Sequence, residues 1–354
     1  MVSRPNACDS ARTMTISTKT WAAHETLRQR LSELRDPRHP GLGKMLLARQ
    51  LHEDRYLETR EELEQTGAYD TLSCDCTIDR VVATSTDEFP SGIGRLEGYR
   101  EQEPRDLWNQ PYRLATPYAG VGSVEQVVIE SKPKEPYSPH CRTTVIPRDR
   151  LGLAPDNLST LLAQLSQPKL QLVEVALDFP VRSVVDINLV EQQGVFGKSR
   201  ARRVGRFPTY ASWGGHAGSK LVKAYVREWL RLELEFHGRD LRHNHIDAVV
   251  DFPKFAQIIP GQHLFFGRID ENRLLPALRR NNLSAAEISA IRKRISELQW
   301  SLVHMLDFLR KEVGLRNTRR LLEPNRQLNR IVREALDAWA LNWQNGRISA
   351  RNRP

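Results

Sequence analysis

TYASWGGHAGSKLVKAYVREWLRLELEFHG, residues 209–238, decides how the rest of the chain is read. Its second half alternates without a break. Leu230, Leu232, Leu234 and Phe236 fall on one side of an extended chain, and Arg231, Glu233, Glu235 and His237 on the other. Neighbours on the polar side of a strand lie about 6.5 Å apart, so Glu233 with Glu235, or Glu235 with His237, can each supply one or two ligands to a divalent ion. Carboxylate oxygen suits Mg²⁺, and an added imidazole leans toward Mn²⁺. The plain alternative is a surface strand on which Arg231 and Glu233 pair with an adjacent strand.

The first half of the stretch is rich in glycine and serine and carries two tyrosines, Tyr210 and Tyr225. If Lys223 to Arg227 is extended, Lys223, Tyr225 and Arg227 share one face directly upstream of the carboxylates. Tyr210, beside the glycines, is placed to stack on a base or to attack from a loop. Between Lys198 and Arg231 there are nine Lys or Arg against one acid, Glu228, a net of +8 in 34 residues. Lys198, Arg200, Arg202, Arg203 and Arg206 read as a basic loop able to neutralise successive phosphates. With Lys220 and Arg231 they are the candidate DNA-binding cations, and Trp213 is the candidate stacking platform. An ordinary solvated loop is the alternative.

The whole chain, 354 residues with a formal charge of +10, is longer than one comfortable core and favours a polyanionic partner. No apolar run approaches membrane-spanning length, so the expected location is the cytoplasm, with no membrane partner. Cys74 and Cys76 lie two apart rather than as Cys-x-x-Cys, and with Cys8 and Cys141 they read as buried thiols of a reducing compartment.

Working outward, Leu172 to Phe179 gives the other clear strand. Val173, Val175, Leu177 and Phe179 point one way, and Glu174, Ala176 and Asp178 the other. Those two carboxylates are about 13 Å apart along a straight strand, too far to grip one ion together. Asp178, at the strand end before Pro180, is the preferred site member because strand ends open toward binding loops. Further strands are expected over Cys74–Ala83, Val124–Glu130, Cys141–Ile146 and His263–Ile269, separated by irregular connections. Helices are expected over Trp21–Leu34, Lys44–Glu64, Asp156–Leu165, 284–312 and Asn325–Trp343. The fold class that follows is α+β: an antiparallel or mixed central sheet with helical extensions at both ends. Its expected parts are a small helical extension over 1–68, a mixed-sheet catalytic or DNA-binding domain over 69–275, and a helical region over 276–354 ending in a basic tail.

Three blocks in order, LVEVALDF at 172–179, TYASWGGHAGSKLVKAY at 209–225 and LRLELEFHGRDL at 230–241, resemble the rolling-circle replication initiators of filamentous phages, the gene II type, and more distantly the trans-acting plasmid initiators. The resemblance does not reach the first 68 residues. Where the family has Tyr-Asp-Lys or Tyr-Ser-Lys, this chain has Tyr225-Val226-Arg227, and Glu228 runs directly into the Arg-x-Glu strand. The resemblance implies a replication-initiator nuclease fold and a tyrosine that breaks a phosphodiester, leaving a free 3′-hydroxyl and a 5′-phosphotyrosyl link. It further implies Mg²⁺ or Mn²⁺, single-stranded or supercoiled DNA at a replication origin, and a host helicase as partner. On this chain the aligned Lys-x-Tyr motif points to Tyr225 as nucleophile, with Tyr210 as the other candidate. Lys223 and Arg227 then steady charge on the phosphate or the phenol, and Asp178, Glu233, Glu235 and His237 are the candidate metal ligands. The competing readings are a DNA-binding protein without catalysis, an interaction protein that docks a partner through its last helices, and metal-dependent hydrolysis by water.

Overall fold

The two strands with the clearest alternation lie side by side. β7 (Lys169–Phe179) and β12 (Leu230–His237) pair antiparallel, with Leu232 opposite Leu177 and Leu234 opposite Val175. The structure, a computed structural model, describes residues 40–67, 73–86, 99–106, 111–120, 125–135, 139, 141–147, 153, 155–196, 203–207, 210–213, 221–227 and 229–346.

Around this pair an eleven-stranded antiparallel sheet is assembled. On one side of β7 lies β1 (Asp75–Ser85), followed outward by β6 (Cys141–Pro147), β5 (Glu125–Pro133), β4 (Tyr112–Gly120) and β2 (Tyr99–Glu101), with the short β3 (Arg105–Asp106) also on β4. On the far side of β12 come β11 (Val222–Val226), β10 (Tyr210–Trp213) and the edge strand β9 (Arg203–Phe207). A second, three-stranded sheet joins β8 (Gly194–Val195), β13 (Phe265–Ile269) and β14 (Leu322–Pro324).

The alternation of β7 and β12 buries one apolar face of the large sheet. Val173, Val175, Leu177, Phe179, Leu230, Leu232, Leu234 and Phe236 belong to the main core, each no more than 2% exposed. At about 1.5–3 kcal/mol for each fully buried large side chain, this face is a major source of the sheet's stability. The α-helices cover and extend it. They are α1 (Pro40–Thr66), α2 (Pro155–Ala163), α3 (Ile187–Gln193), α4 (Gly238–His243), α5 (Phe255–Ile258), α6 (Glu271–Arg280), α7 (Ala285–Glu297), α8 (Leu302–Lys311) and α9 (Arg326–Gln344). α9 lays Leu328, Val332, Leu336, Trp339 and Trp343 into the same core as the sheet, and the Trp343 indole donates to the Val249 carbonyl at 3.1 Å. α1 is anchored by Arg60, which donates to the Ser183 carbonyl and pairs with Asp186 at 3.6 Å.

Several expectations change. The basic loop is in part a strand: Arg203 and Arg206 lie on β9, and Tyr210 to Trp213 form β10 rather than a turn. The helix expected over 284–312 is two helices, α7 and α8, because Ser301 opens a fresh N-terminus after the turn at Leu298–Trp300. The capping box of Ser284 with Glu287 is present, and Gly314 ends the second helix region at φ +76, a backbone angle that favours glycine. β4 was not expected, since Pro117 and Gly120 argue against a strand; antiparallel pairing with β5 on one side and β2 on the other holds it extended. The helix expected over Trp21–Leu34, the basic tail from 347 and the thiol Cys8 lie outside the described residues. Cys74, Cys76 and Cys141 are free thiols, the last two fully buried.

Candidate active site

Residues directly opposite each other in an antiparallel sheet project to the same face, so the register writes out the polar side of the sheet row by row. One row runs Tyr210, Tyr225, Arg231, Asp178 across β10, β11, β12 and β7. The next runs Ser212, Lys223, Glu233, Ala176, and the third places Glu235 beside Glu174 and Arg80. β1 contributes a further acid through an irregularity. Ile78 pairs with Val175 and Arg80 with Glu174, which leaves Asp79 as an extra residue in a β-bulge. Asp79 and Arg80 therefore both reach the polar face.

The groups that meet there are tightly interlocked. Arg231, 1% exposed, holds Asp178 through two bonds of 2.7 Å and also donates to Asp79. The Lys223 ammonium lies 2.9 Å from Glu174, 2.5 Å from Glu235 and 3.7 Å from Glu233. Arg80 adds a 2.8 Å contact to Glu174 and a 3.4 Å contact to Glu235, and His237 stands 3.2 Å from Glu235. The Tyr225 hydroxyl donates to Glu233. Arg227 in turn donates to the Tyr225 oxygen at 3.0 Å, with its guanidinium carbon 5.2 Å from the ring centre.

Carboxylate oxygens of Asp79, Glu174 and Glu233 all lie within 4.8 Å of one another, close enough to coordinate one divalent ion. The charge balance of the face fits such an ion. Five carboxylates (Asp79, Asp178, Glu174, Glu233 and Glu235) stand against four permanent cations (Arg80, Lys223, Arg227 and Arg231), an excess of one negative charge when all five are ionised. The same excess shows in proton affinity. Burial, with Glu174 and Asp79 close by, pushes the Glu233 carboxyl up to about 8, and burial also raises Glu174. Burial would raise Glu235 too, but hydrogen bonds with His237, Glu174 and Lys223 outweigh it and hold that group at about 2. Tyr225 is held above the ordinary phenol value by burial and by Glu233, against the pull of Arg231 and Arg227. An all-oxygen donor set matches Mg²⁺ or Mn²⁺.

Of the residues expected from sequence, Tyr225, Lys223, Arg227, Glu233, Glu235, Asp178 and Arg231 come together, and Tyr210 joins them as the cross-strand neighbour of Tyr225. Their parts differ from expectation in places. The acidic trio takes Glu174 and Asp79 beside Glu233, whereas Asp178 is engaged by Arg231 and Glu235 by Lys223 and His237. Arg231 is a buried clasp rather than a surface cation. Trp213, 1% exposed and 4.5 Å from the Phe196 ring, is a core residue with no face left for a base. Lys198, Arg200, Arg202 and Lys220 lie outside the described residues. Asp79 had no signal in the sequence beyond its charge, since plain alternation along β1 sends it to the opposite side from Arg80.

No protein-family model matches the chain, and no curated protein does. Among solved structures, a rolling circle replication initiator protein from Geobacillus stearothermophilus is similar at 14% identity and a TM-score of 0.40, over 56% of this chain and 89% of that one. The likeness is distant. Among the described residues no helix is long and apolar enough to cross a membrane.

Proposed function

We propose that the chain is a rolling-circle replication initiator that nicks and rejoins one DNA strand through Tyr225. The observation that carries this reading is the hydrogen bond from the Tyr225 hydroxyl to Glu233, a member of the only acidic trio of this kind among the described residues. Tyr225 Oη attacks the phosphorus of a phosphodiester, its proton passes to Glu233, and the bond from phosphorus to the 3′-oxygen breaks. The departing 3′-oxygen takes up a proton from water, which leaves a free 3′-hydroxyl and a 5′-phosphate ester of the tyrosine. Glu233, in its ionised form, is the group placed to take that proton, because its carboxylate already accepts the phenol's hydrogen bond. Arg227, exposed and bonded to the phenol oxygen, steadies the charge that develops there. Asp79, Glu174 and Glu233 would hold Mg²⁺ or Mn²⁺, which when bound polarises the scissile phosphate. In sequence, the basic run Lys198, Arg200, Arg202, Arg203 and Arg206 supplies the cations for single-stranded or supercoiled origin DNA.

The test is a covalent adduct. Wild-type protein with Mn²⁺ or Mg²⁺ and single-stranded DNA is expected to yield a 5′-phosphotyrosyl product. Tyr225→Phe is expected to lose it by at least about a thousandfold while DNA binding persists, since a covalent nucleophile has no substitute. Tyr210→Phe keeps the adduct on this reading. An adduct that survives in Tyr225→Phe overturns the assignment, and nicking without any adduct points to hydrolysis by water. A second reading, DNA binding without catalysis, is favoured by one observation: Lys223 and Arg80 already engage Glu174 and Glu235. Calorimetry showing salt-sensitive DNA binding but no Mn²⁺ or Mg²⁺ binding selects it.

A further inference from the structure

Among the described residues, Lys223 is the one cation of the polar face that reaches three carboxylates at once, at 2.5, 2.9 and 3.7 Å. Its place is fixed by the sheet. Lys223 sits directly opposite Glu233 across β11 and β12 and opposite Ser212 across β10, so a short swing of its side chain brings the ammonium over Glu174 and Glu235. The partners are nearly enclosed, with side chains 4% (Glu174), 5% (Glu233) and 8% (Glu235) exposed, and Lys223 itself is 21% exposed. Two of the three carboxylates it reaches, Glu174 and Glu233, belong to the acidic trio. An ammonium is a compact, strongly hydrated point charge, and two of the carboxylates it touches are ones a small divalent ion would take. A lysine so placed is not extended toward a phosphate. Arg227 is the cation that faces outward beside the phenol.

We propose that Lys223 is a tethered cation that competes with the divalent ion for the acidic trio and sets the affinity with which that ion is held. The inference rests on the metal reading above and deepens it. Lys223 acts through Glu174 and Glu233 rather than on DNA, which makes it a positioning residue. The face keeps a surplus negative charge with Lys223 in place and all five carboxylates ionised, but an ion must displace the ammonium from the carboxylates they share. Removing the ammonium therefore tightens ion binding, where loss of a supporting residue would weaken it.

The experiment titrates the full chain with Mn²⁺ and reads free Mn²⁺ by electron paramagnetic resonance, in the absence of DNA. Lys223→Met is expected to lower the Mn²⁺ dissociation constant by about tenfold or more, since a unit charge within 4 Å of the ligands is lost. Lys223→Gln, which keeps a polar group and guards against failure of the methionine variant to fold, is expected to follow it. Lys223→Arg, retaining the charge, stays near wild type. Unchanged or weaker binding in both neutral variants, with wild-type binding that Glu233→Gln abolishes, overturns the proposal and leaves the metal reading intact. Binding by Lys223→Arg as tight as by the neutral variants also overturns it, because charge would not be the cause. No Mn²⁺ bound by wild type or by either neutral variant defeats both the proposal and the metal reading.

Discussion

The two faces of β12 are buried to the same degree by opposite means. On one, Leu230, Leu232, Leu234 and Phe236 are excluded from water by apolar neighbours. On the other, Arg231, Glu233 and Glu235 are 1%, 4% and 7% exposed, yet every one is matched to a charged partner on β1, β7 or β11 or to a neighbour on its own strand. An apolar face tolerates trimming in proportion to what is removed. A face of interlocked charges does not, because deleting one member leaves its partners buried and unpaired. The apolar side is the scaffold, and the charged side gives up stability to hold three carboxylates close enough to coordinate a divalent ion.

The sharpest way to break this contrast is Arg231→Met. It preserves volume but strands Asp79 and Asp178, and is expected to cost about 3–5 kcal/mol in chemical denaturation. A loss under about 1 kcal/mol would mean the charged face is solvated rather than interlocked. Next comes Leu232→Ala on the scaffold side, expected to cost about 2–5 kcal/mol with the ratio of ion affinity to folded protein unchanged. A change in Mn²⁺ affinity at full folding would show that the two faces are not separable.

The smallest effect is one of pH. Glu233 has its folded pKa raised to about 8 from an ordinary 4.5, so the native state holds a proton that the unfolded chain has released. Its contribution is fully present below about 4.5 and is lost as pH rises toward 8, because there the unfolded state binds fewer protons. Glu235, held at about 2, works the other way and loses its contribution only as pH falls from about 4.5 toward 2. Urea midpoints measured from pH 5 to 8 without divalent ions are expected to fall with pH in wild type and to flatten in Glu233→Gln. A slope unchanged by that substitution would place the proton elsewhere on the face.

Much of this contrast is legible in the sequence, because period-two alternation is strong in 172–179 and 230–237 and both strands have one wholly apolar side. The carboxylates of β12 follow from the same pattern. What alternation cannot give is register. Sequence reasoning prefers Asp178 for its place at a strand end, but pairing sets Asp178 opposite Arg231 and Glu174 opposite Glu235, which decides which acid joins the trio. Tyr210 and Trp213 show a related limit. A glycine-rich neighbourhood suggests a loop, yet pairing with β11 makes the segment a strand, turning Trp213 into the core and Tyr210 toward Tyr225. The apolar stripe continues through the break between α7 and α8 while the backbone does not, so periodicity alone predicts one helix there.

The bulge in β1 has a further consequence. Asp79 reaches its partners only because that strand carries one residue more than its neighbour needs, so the trio is encoded partly in chain length. Losing a single codon there, with no acid altered, would rotate the aspartate away from Glu174 and Glu233. Comparing sequences for matching letters would overlook such a lesion; counting residues between Ile78 and Val82 would reveal it.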